Sequence, residues 1–168
     1  MRLPMIISAT LLLSLSLNLA AMSETPAEKV QYQTQTNNSL NSRRLRFNKR
    51  LWEQANISNY RITVSNSCFC IPDARGPVII EVRNGQTTSI TSVATGKPVN
   101  PELFQKYNTI PKLFNVIQDA INRKAFNLDV EYNAKLGYPT KINIDYNSQI
   151  ADEEIFLTIE NFQEIKPR

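Results

Sequence analysis

Cys68 and Cys70 stand one residue apart in Ser67-Cys68-Phe69-Cys70-Ile71-Pro72, and the 168-residue chain has no other cysteine. Two thiols at this spacing can close a small-ring disulfide, exchange with other disulfides, or give two thiolates to a soft metal such as Cu(I) or Zn(II). On a straight strand, residues i and i+2 share a face with Cα atoms about 6.6 Å apart. That separation is near the upper limit for a disulfide, so a bond here requires the chain to curl. So small a ring removes little unfolded-state entropy, and its stabilisation falls well below the ~3 kcal/mol of a fifteen-residue loop. Small strained rings are also more readily reduced, which permits a redox role without demanding one. For exchange-active thiols the surroundings are poor, since Arg75 is the only nearby cation able to lower a thiol pKa. A metal would need further ligands from a chain without histidine. A pair of free buried thiols is a fourth state. The favoured reading is a static disulfide holding the turn into Pro72, in an oxidising compartment.

The absence of histidine excludes Ser-His-Asp and Cys-His catalytic sets and every zinc site built on imidazole. It also removes the side chain that most readily shuttles protons near neutral pH. The densest acidic group is Asp145, Asp152, Glu153 and Glu154. Carboxylates around one loop can hold Ca²⁺, but no EF-hand spacing is present, and a solvated hairpin loop accounts for them more simply. Tyr60, Tyr132, Tyr138 and Tyr146 could line a groove beside Arg75. Three of them fall on inward strand positions, leaving Tyr138, in a turn, and Arg75 as the residues to test for ligand contact. No catalytic residue, resident metal or cofactor is expected.

The formal net charge is +4, with its excess gathered at Arg43, Arg44, Arg46, Lys49 and Arg50. Such a patch suits anionic lipid or polymer. Without an aromatic stacking platform beside it, nucleic acid is not expected, and peripheral membrane contact is the most this patch predicts.

The elements that must position these residues follow from periodicity and punctuation. Met5 to Leu19 is an apolar run behind Arg2, followed by small residues to Ser23, the order of a secretory signal peptide. It is shorter than the roughly 20 residues that span a bilayer, so cleavage near Ser23 is expected, leaving a charge of +3. Residues 24–42 are polar and aperiodic and read as a flexible linker, with a single domain over 43–168. Asn37-Asn38-Ser39 and Asn56-Ile57-Ser58 match a glycosylation sequon, which matters only in a eukaryotic secretory route.

Leu45, Trp52 and Ala55 share a helical stripe, predicting a short amphipathic helix ending near Asn56, with Trp52 as its anchor. Tyr60, Ile62 and Val64 alternate with polar residues as a strand, and Val78, Ile80 and Val82 make the next. Asn84-Gly85 then signals a hairpin, because both central positions of a type I′ turn need positive φ, and a third strand runs through Ser89–Val93. Asn100-Pro101 opens a short helical turn, and Thr109 caps a longer helix through Ile110, Leu113, Phe114, Ile117 and Ile121. Period two returns at Leu128, Val130 and Tyr132, at Ile142, Ile144 and Tyr146, and at Ile155, Leu157 and Ile159. This predicts an α+β fold: β-β-β-α-β-β-β behind an N-terminal helix, a largely antiparallel sheet of about six strands with its helices on one face. The two halves read as duplicates in layout.

Several blocks fall in order along the chain. They are Asn59-Tyr60-Arg61, Ser67 to Pro72, Arg75-Gly76-Pro77-Val78, Thr95-Gly96-Lys97-Pro98-Val99 and Thr109-Ile110 before Leu113-Phe114. Leu136-Gly137-Tyr138-Pro139-Thr140, Ile144-Asp145-Tyr146 and Ala151-Asp152-Glu153-Glu154 complete the series. Together, over about residues 50–165, they resemble an uncharacterised family of bacterial secreted and lipoprotein domains, domain of unknown function 6174. This chain carries Ile71 where the family has proline directly after the second cysteine. The resemblance implies a bacterial, extracytoplasmic setting and brings no activity to carry over.

The expected function is therefore a non-catalytic exported module, periplasmic or extracellular, that binds or supports an envelope protein or a small ligand. The alternative is a thiol-disulfide or soft-metal handling protein using Cys68 and Cys70.

Overall fold

The computed structural model describes residues 26–68, 70–149 and 154–166. The expected signal peptide, residues 1–23, lies outside them, as do Phe69, Asp152 and Glu153. No helix among the described residues is long and apolar enough to cross a membrane.

Among the described residues six strands form one antiparallel sheet in the order β3-β2-β1-β6-β5-β4. They are β1 (Tyr60–Asn66), β2 (Val78–Arg83), β3 (Gln86–Ser92), β4 (Asn127–Tyr132), β5 (Pro139–Asp145) and β6 (Ile155–Glu164). The first three strands wind outward from the centre and the last three wind inward, so β1 and β6 meet mid-sheet. The two halves thus share a meander but run in opposite senses, which corrects the expectation of duplicated layouts.

Local chemistry explains the turns and caps. Asn84 and Gly85 hold φ of 51° and 75° between β2 and β3, as the type I′ hairpin demands. A 3₁₀ turn, Pro101–Phe104, is opened by Asn100, whose Oδ1 accepts from the Glu102 N–H at 3.0 Å. Helix α3 (Ile110–Asn122) is capped by Thr109, whose Oγ1 accepts from the Lys112 N–H at 3.3 Å. Ile110, Leu113, Phe114, Ile117 and Ala120 are buried on one stripe of α3, and the partly buried Ile121 packs at its margin.

The same face of the sheet contributes Ile62, Val64, Ile80, Val82, Ile142, Ile144, Leu157 and Ile159 to the core. A bulge in β6 opposite Arg61 and Thr63 resets the alternation, with Asn161 at φ 51°. Asn161 would otherwise point inward; Phe162 takes that place. The opposite face is solvated and carries Glu81 between Arg61 and Arg83, each at 2.8 Å. These two guanidiniums hold the Glu81 carboxyl below its ordinary pKa.

Helix α1 runs over Pro26–Ala55, so residues 26–42, expected as a flexible linker, are helical. Composition misled because no apolar stripe marks this stretch. Pro26 sits at the first turn and no glycine or proline follows before Asn56, which ends the helix in the left-handed region at φ 50°. Once the C-terminal half is anchored, extending a helix by propagation costs far less than nucleating one.

That anchor is an aromatic cluster. Trp52 meets Tyr60, Tyr138 and Phe162 edge-on at 5.4, 6.3 and 5.8 Å, while Phe162 stacks on Tyr138 at 4.8 Å. Gly137 lets the turn before β5 lie against α1, since its φ is 76° and a Cβ there would meet the Asn48 backbone. Tyr138 is the turn residue that the sequence offers to test for ligand contact. It is 7 % exposed and belongs to this cluster.

Candidate functional site

At the end of β1 the chain curls. The Ser67 N–H donates to the Phe156 carbonyl at 2.9 Å, and the Cα atoms of Cys68 and Cys70 then come within 5.2 Å. This is shorter than a straight strand permits and lies inside the disulfide range, with the two sulfurs facing each other. Asn66 braces the loop, its Nδ2 lying 3.2 Å from Cys68 Sγ and donating to the Tyr107 hydroxyl at 3.1 Å. Tyr107 in turn donates to the Leu103 carbonyl at 3.1 Å. Burial pushes the Tyr107 phenol up, with the Asn66 donor partly offsetting it. On the other side Arg75 Nε donates to the Cys70 carbonyl at 3.0 Å.

Arg75 lies at the end of the short helix α2 (Pro72–Arg75), which seats Ala74 in the core. Its guanidinium therefore grips backbone, not sulfur. Cys68 Sγ sits beside the side-chain amide and the carbonyl of Asn66, and neither stabilises a thiolate as an adjacent cation would. Asn66 and Tyr107 were missed in the sequence, where 41 residues separate them and neither belongs to a motif. Among the described residues no group of three or more Cys, Asp and Glu is placed to hold a metal.

A second concavity, of about 690 Å³, runs along α3 past Lys106, Lys112, Asp119, Arg123, Tyr146 and Glu154. Its centre is a closed set. The Arg123 guanidinium lies 3.8 Å from the Tyr146 ring centre, Tyr146 donates to Asp119 Oδ2 at 3.1 Å, and Arg123 approaches the same oxygen at 3.7 Å. Burial and then Asp119 push the Tyr146 phenol up, so it stays protonated at neutral pH. Within this set the charges answer one another.

A third cleft, of about 530 Å³, lies between β3 and the start of α3. Thr87 Oγ1 donates to the Asn108 carbonyl at 3.0 Å, and the buried Asn108 Oδ1 has no hydrogen-bond partner among the described residues. The helix start beside it offers little to an anion. The Ile110 N–H donates to the Tyr60 hydroxyl at 2.9 Å, Pro111 has none, and the Lys112 N–H is held by Thr109. Burial pushes the Tyr60 phenol up to about 12 against that hydrogen bond.

Of the other expected residues, Tyr132 is half-buried under Arg44, whose guanidinium is 5.8 Å from its ring, and burial lifts its phenol to about 12. Arg44 donates to the Val130 carbonyl at 2.8 Å and Lys49 sits 4.0 Å from Glu53, so these two cations of the basic patch have partners. Arg43, Arg46 and Arg50 are exposed. So is Phe47, at 63 %, an aromatic that stands inside the patch between Arg46 and Lys49 and corrects the expectation that no aromatic accompanies it. Asp145 accepts from the Asn147 N–H at 2.9 Å and Glu154 lines the α3 groove; the structure brings neither to the cysteines.

A family model described as a family of unknown function (DUF6174) matches residues 44–164. No curated protein and no solved structure matches the chain.

Proposed function

The chain belongs to this family of unknown function, DUF6174, and we propose that it is a non-catalytic binding or structural module of the bacterial cell envelope. In this reading residues 1–23 direct export and are removed, and Cys68 and Cys70 form a structural disulfide in the oxidising compartment beyond. The observation that carries it is the setting of the cysteine loop. Arg75 is spent on the Cys70 carbonyl, and Asn66 ties the loop to Tyr107. A loop gripped on both sides favours a cross-link that holds shape over one that opens and closes. The self-paired Tyr146–Asp119–Arg123 set supports the non-catalytic part, because general acid-base work needs a proton donor and acceptor left available.

The test is thiol titration and intact mass on protein recovered from the periplasm, with and without millimolar glutathione. The expected result is no free thiol in either condition. Cys68→Ser/Cys70→Ser should fold and lose about 1 kcal/mol, below the ~3 kcal/mol of a larger ring. Ready reduction by glutathione, or copurifying copper or zinc, would replace this reading with thiol exchange or soft-metal handling. Unaltered stability of the double variant would remove the structural role.

A further inference from the structure

The outward side of α1 is built unlike the rest of the surface. Residues 40, 43, 46, 47 and 50 follow the 3.6-residue period onto one arc, opposite the buried Leu45 and Trp52. That arc carries Arg43, Arg46 and Arg50 with Phe47 and Leu40, the latter two 63 % and 50 % exposed. Phe126, 66 % exposed, continues it, since Leu40 and Phe126 line one shallow cleft. Three of the five large apolar side chains exposed among the described residues therefore gather around three arginines that make no ion pair there. The acids that border the patch are Glu53, which pairs with Lys49, and Asp129, which lines the cleft under Leu40 and Phe126.

Solvation alone explains the arginines but not the aromatics between them, because an exposed phenylalanine gains nothing from water. A helix face that alternates cations with large apolar groups fits a partner that is anionic at its surface and apolar just beneath. A bilayer interface has that chemistry. The same helix is held by Trp52 on its opposite face and by Arg44, at the arc's margin, on the Val130 carbonyl, so the arc is presented on a rigid element. We infer that Arg43, Arg46 and Arg50, with Phe47, Leu40 and Phe126, form a docking surface for an anionic membrane interface. Arg44 and Lys49, already engaged within the protein, take no part.

The surface does not depend on the state of the cysteines. Each cation near an anionic leaflet contributes roughly fivefold to partitioning, so three contribute on the order of a hundredfold.

The experiment is co-sedimentation of the exported chain with vesicles of phosphatidylcholine alone and of phosphatidylcholine with phosphatidylglycerol. Binding is expected only to the second, weakening as salt rises. Arg43→Gln/Arg46→Gln/Arg50→Gln should lose it by on the order of a hundredfold, and Phe47→Ala by about tenfold through lost apolar insertion. Lys97→Gln/Lys106→Gln/Lys141→Gln makes the same change in net charge away from α1 and should lose no more than about twofold, the remainder of long-range attraction. All these side chains lie on the surface, and an unchanged melting curve verifies that each variant folds. Equal loss in the two triple variants, or no binding by the wild type, overturns the inference. So does binding to inorganic polyphosphate that exceeds vesicle binding and ignores Phe47→Ala, which would make the arc a polyanion site.

Discussion

The two edges of the sheet solve the same problem by different means. A strand with only one neighbour presents a row of unpaired backbone groups, which invites association with another chain. At β4 the cover is a helix, and side chains do the pairing. Asn41 Nδ2 donates to the Leu128 carbonyl at 3.1 Å and Arg44 to the Val130 carbonyl at 2.8 Å, two residues apart on one side of the strand. At β3 the cover is backbone. The Val99 N–H donates to the Ile90 carbonyl at 3.0 Å and the Ser92 N–H to the Lys97 carbonyl at 2.9 Å, around a bridge between Thr91 and Pro98. Among the described residues that cover reaches only the C-terminal half of β3, while Thr87 hooks the Asn108 carbonyl at the other end. One edge is thus sealed from a distance by a helix that can be detached. The other is stapled by its own neighbouring chain.

Detaching the helix should break the comparison most visibly. Trp52→Ala removes the ring that joins α1 to Tyr60, Tyr138 and Phe162. A loss of about 3–5 kcal/mol is expected in denaturant unfolding, with amide exchange rising in β4 before β3. Equal exchange at both edges would show that α1 does not seal β4.

Alkaline titration probes the two phenols lifted by burial to about 12, Tyr60, whose hydroxyl accepts from the Ile110 N–H, and Tyr132 beneath Arg44. A folded pKa above the unfolded value of about 10 means that the stability is complete below pH 10 and is lost as pH climbs toward 12. Tyr60 contributes about 3 kcal/mol of this stability. Trp52 fluorescence should follow tyrosinate absorbance through that window. Titration of every tyrosine near pH 10 with the fluorescence unchanged would refute the burial argument.

Smaller again, Asn41→Ala/Arg44→Ala leaves α1 in place but uncovers the Leu128 and Val130 carbonyls. Two hydrogen bonds of about 1 kcal/mol each predict a loss of about 2 kcal/mol. Sedimentation should also show new self-association at high concentration, and a strictly monomeric variant would mean that the edge is protected otherwise. Thr87→Val, its counterpart at β3, should cost about 1 kcal/mol without association, because the stapled half of that edge remains.

Legibility in the sequence followed the range of the interaction. The Asn84-Gly85 hairpin, the Asn100 and Thr109 caps and the α3 stripe all rest on contacts within four residues, and all were readable. The curl at Cys68 and Cys70 was readable as a requirement. What holds it was not, because Asn66 and Tyr107 meet across 41 residues. Tyr138 misled for the same reason: its turn position is local information, whereas its burial depends on Trp52 and Phe162.

By itself the sequence determined the α+β class and the order of the six strands and of α1 and α3, though not the short helix α2 in what reads as a loop. It also excluded imidazole chemistry. Periodicity, turn residues and a missing histidine need no neighbours to be read. Tertiary structure decided which strands meet at the centre, how far α1 extends and which of its cations are spent. It also decided which aromatics are left in water. Those are outcomes of burial against partners distant in the chain, and burial is a property of the assembled core that no local spacing encodes.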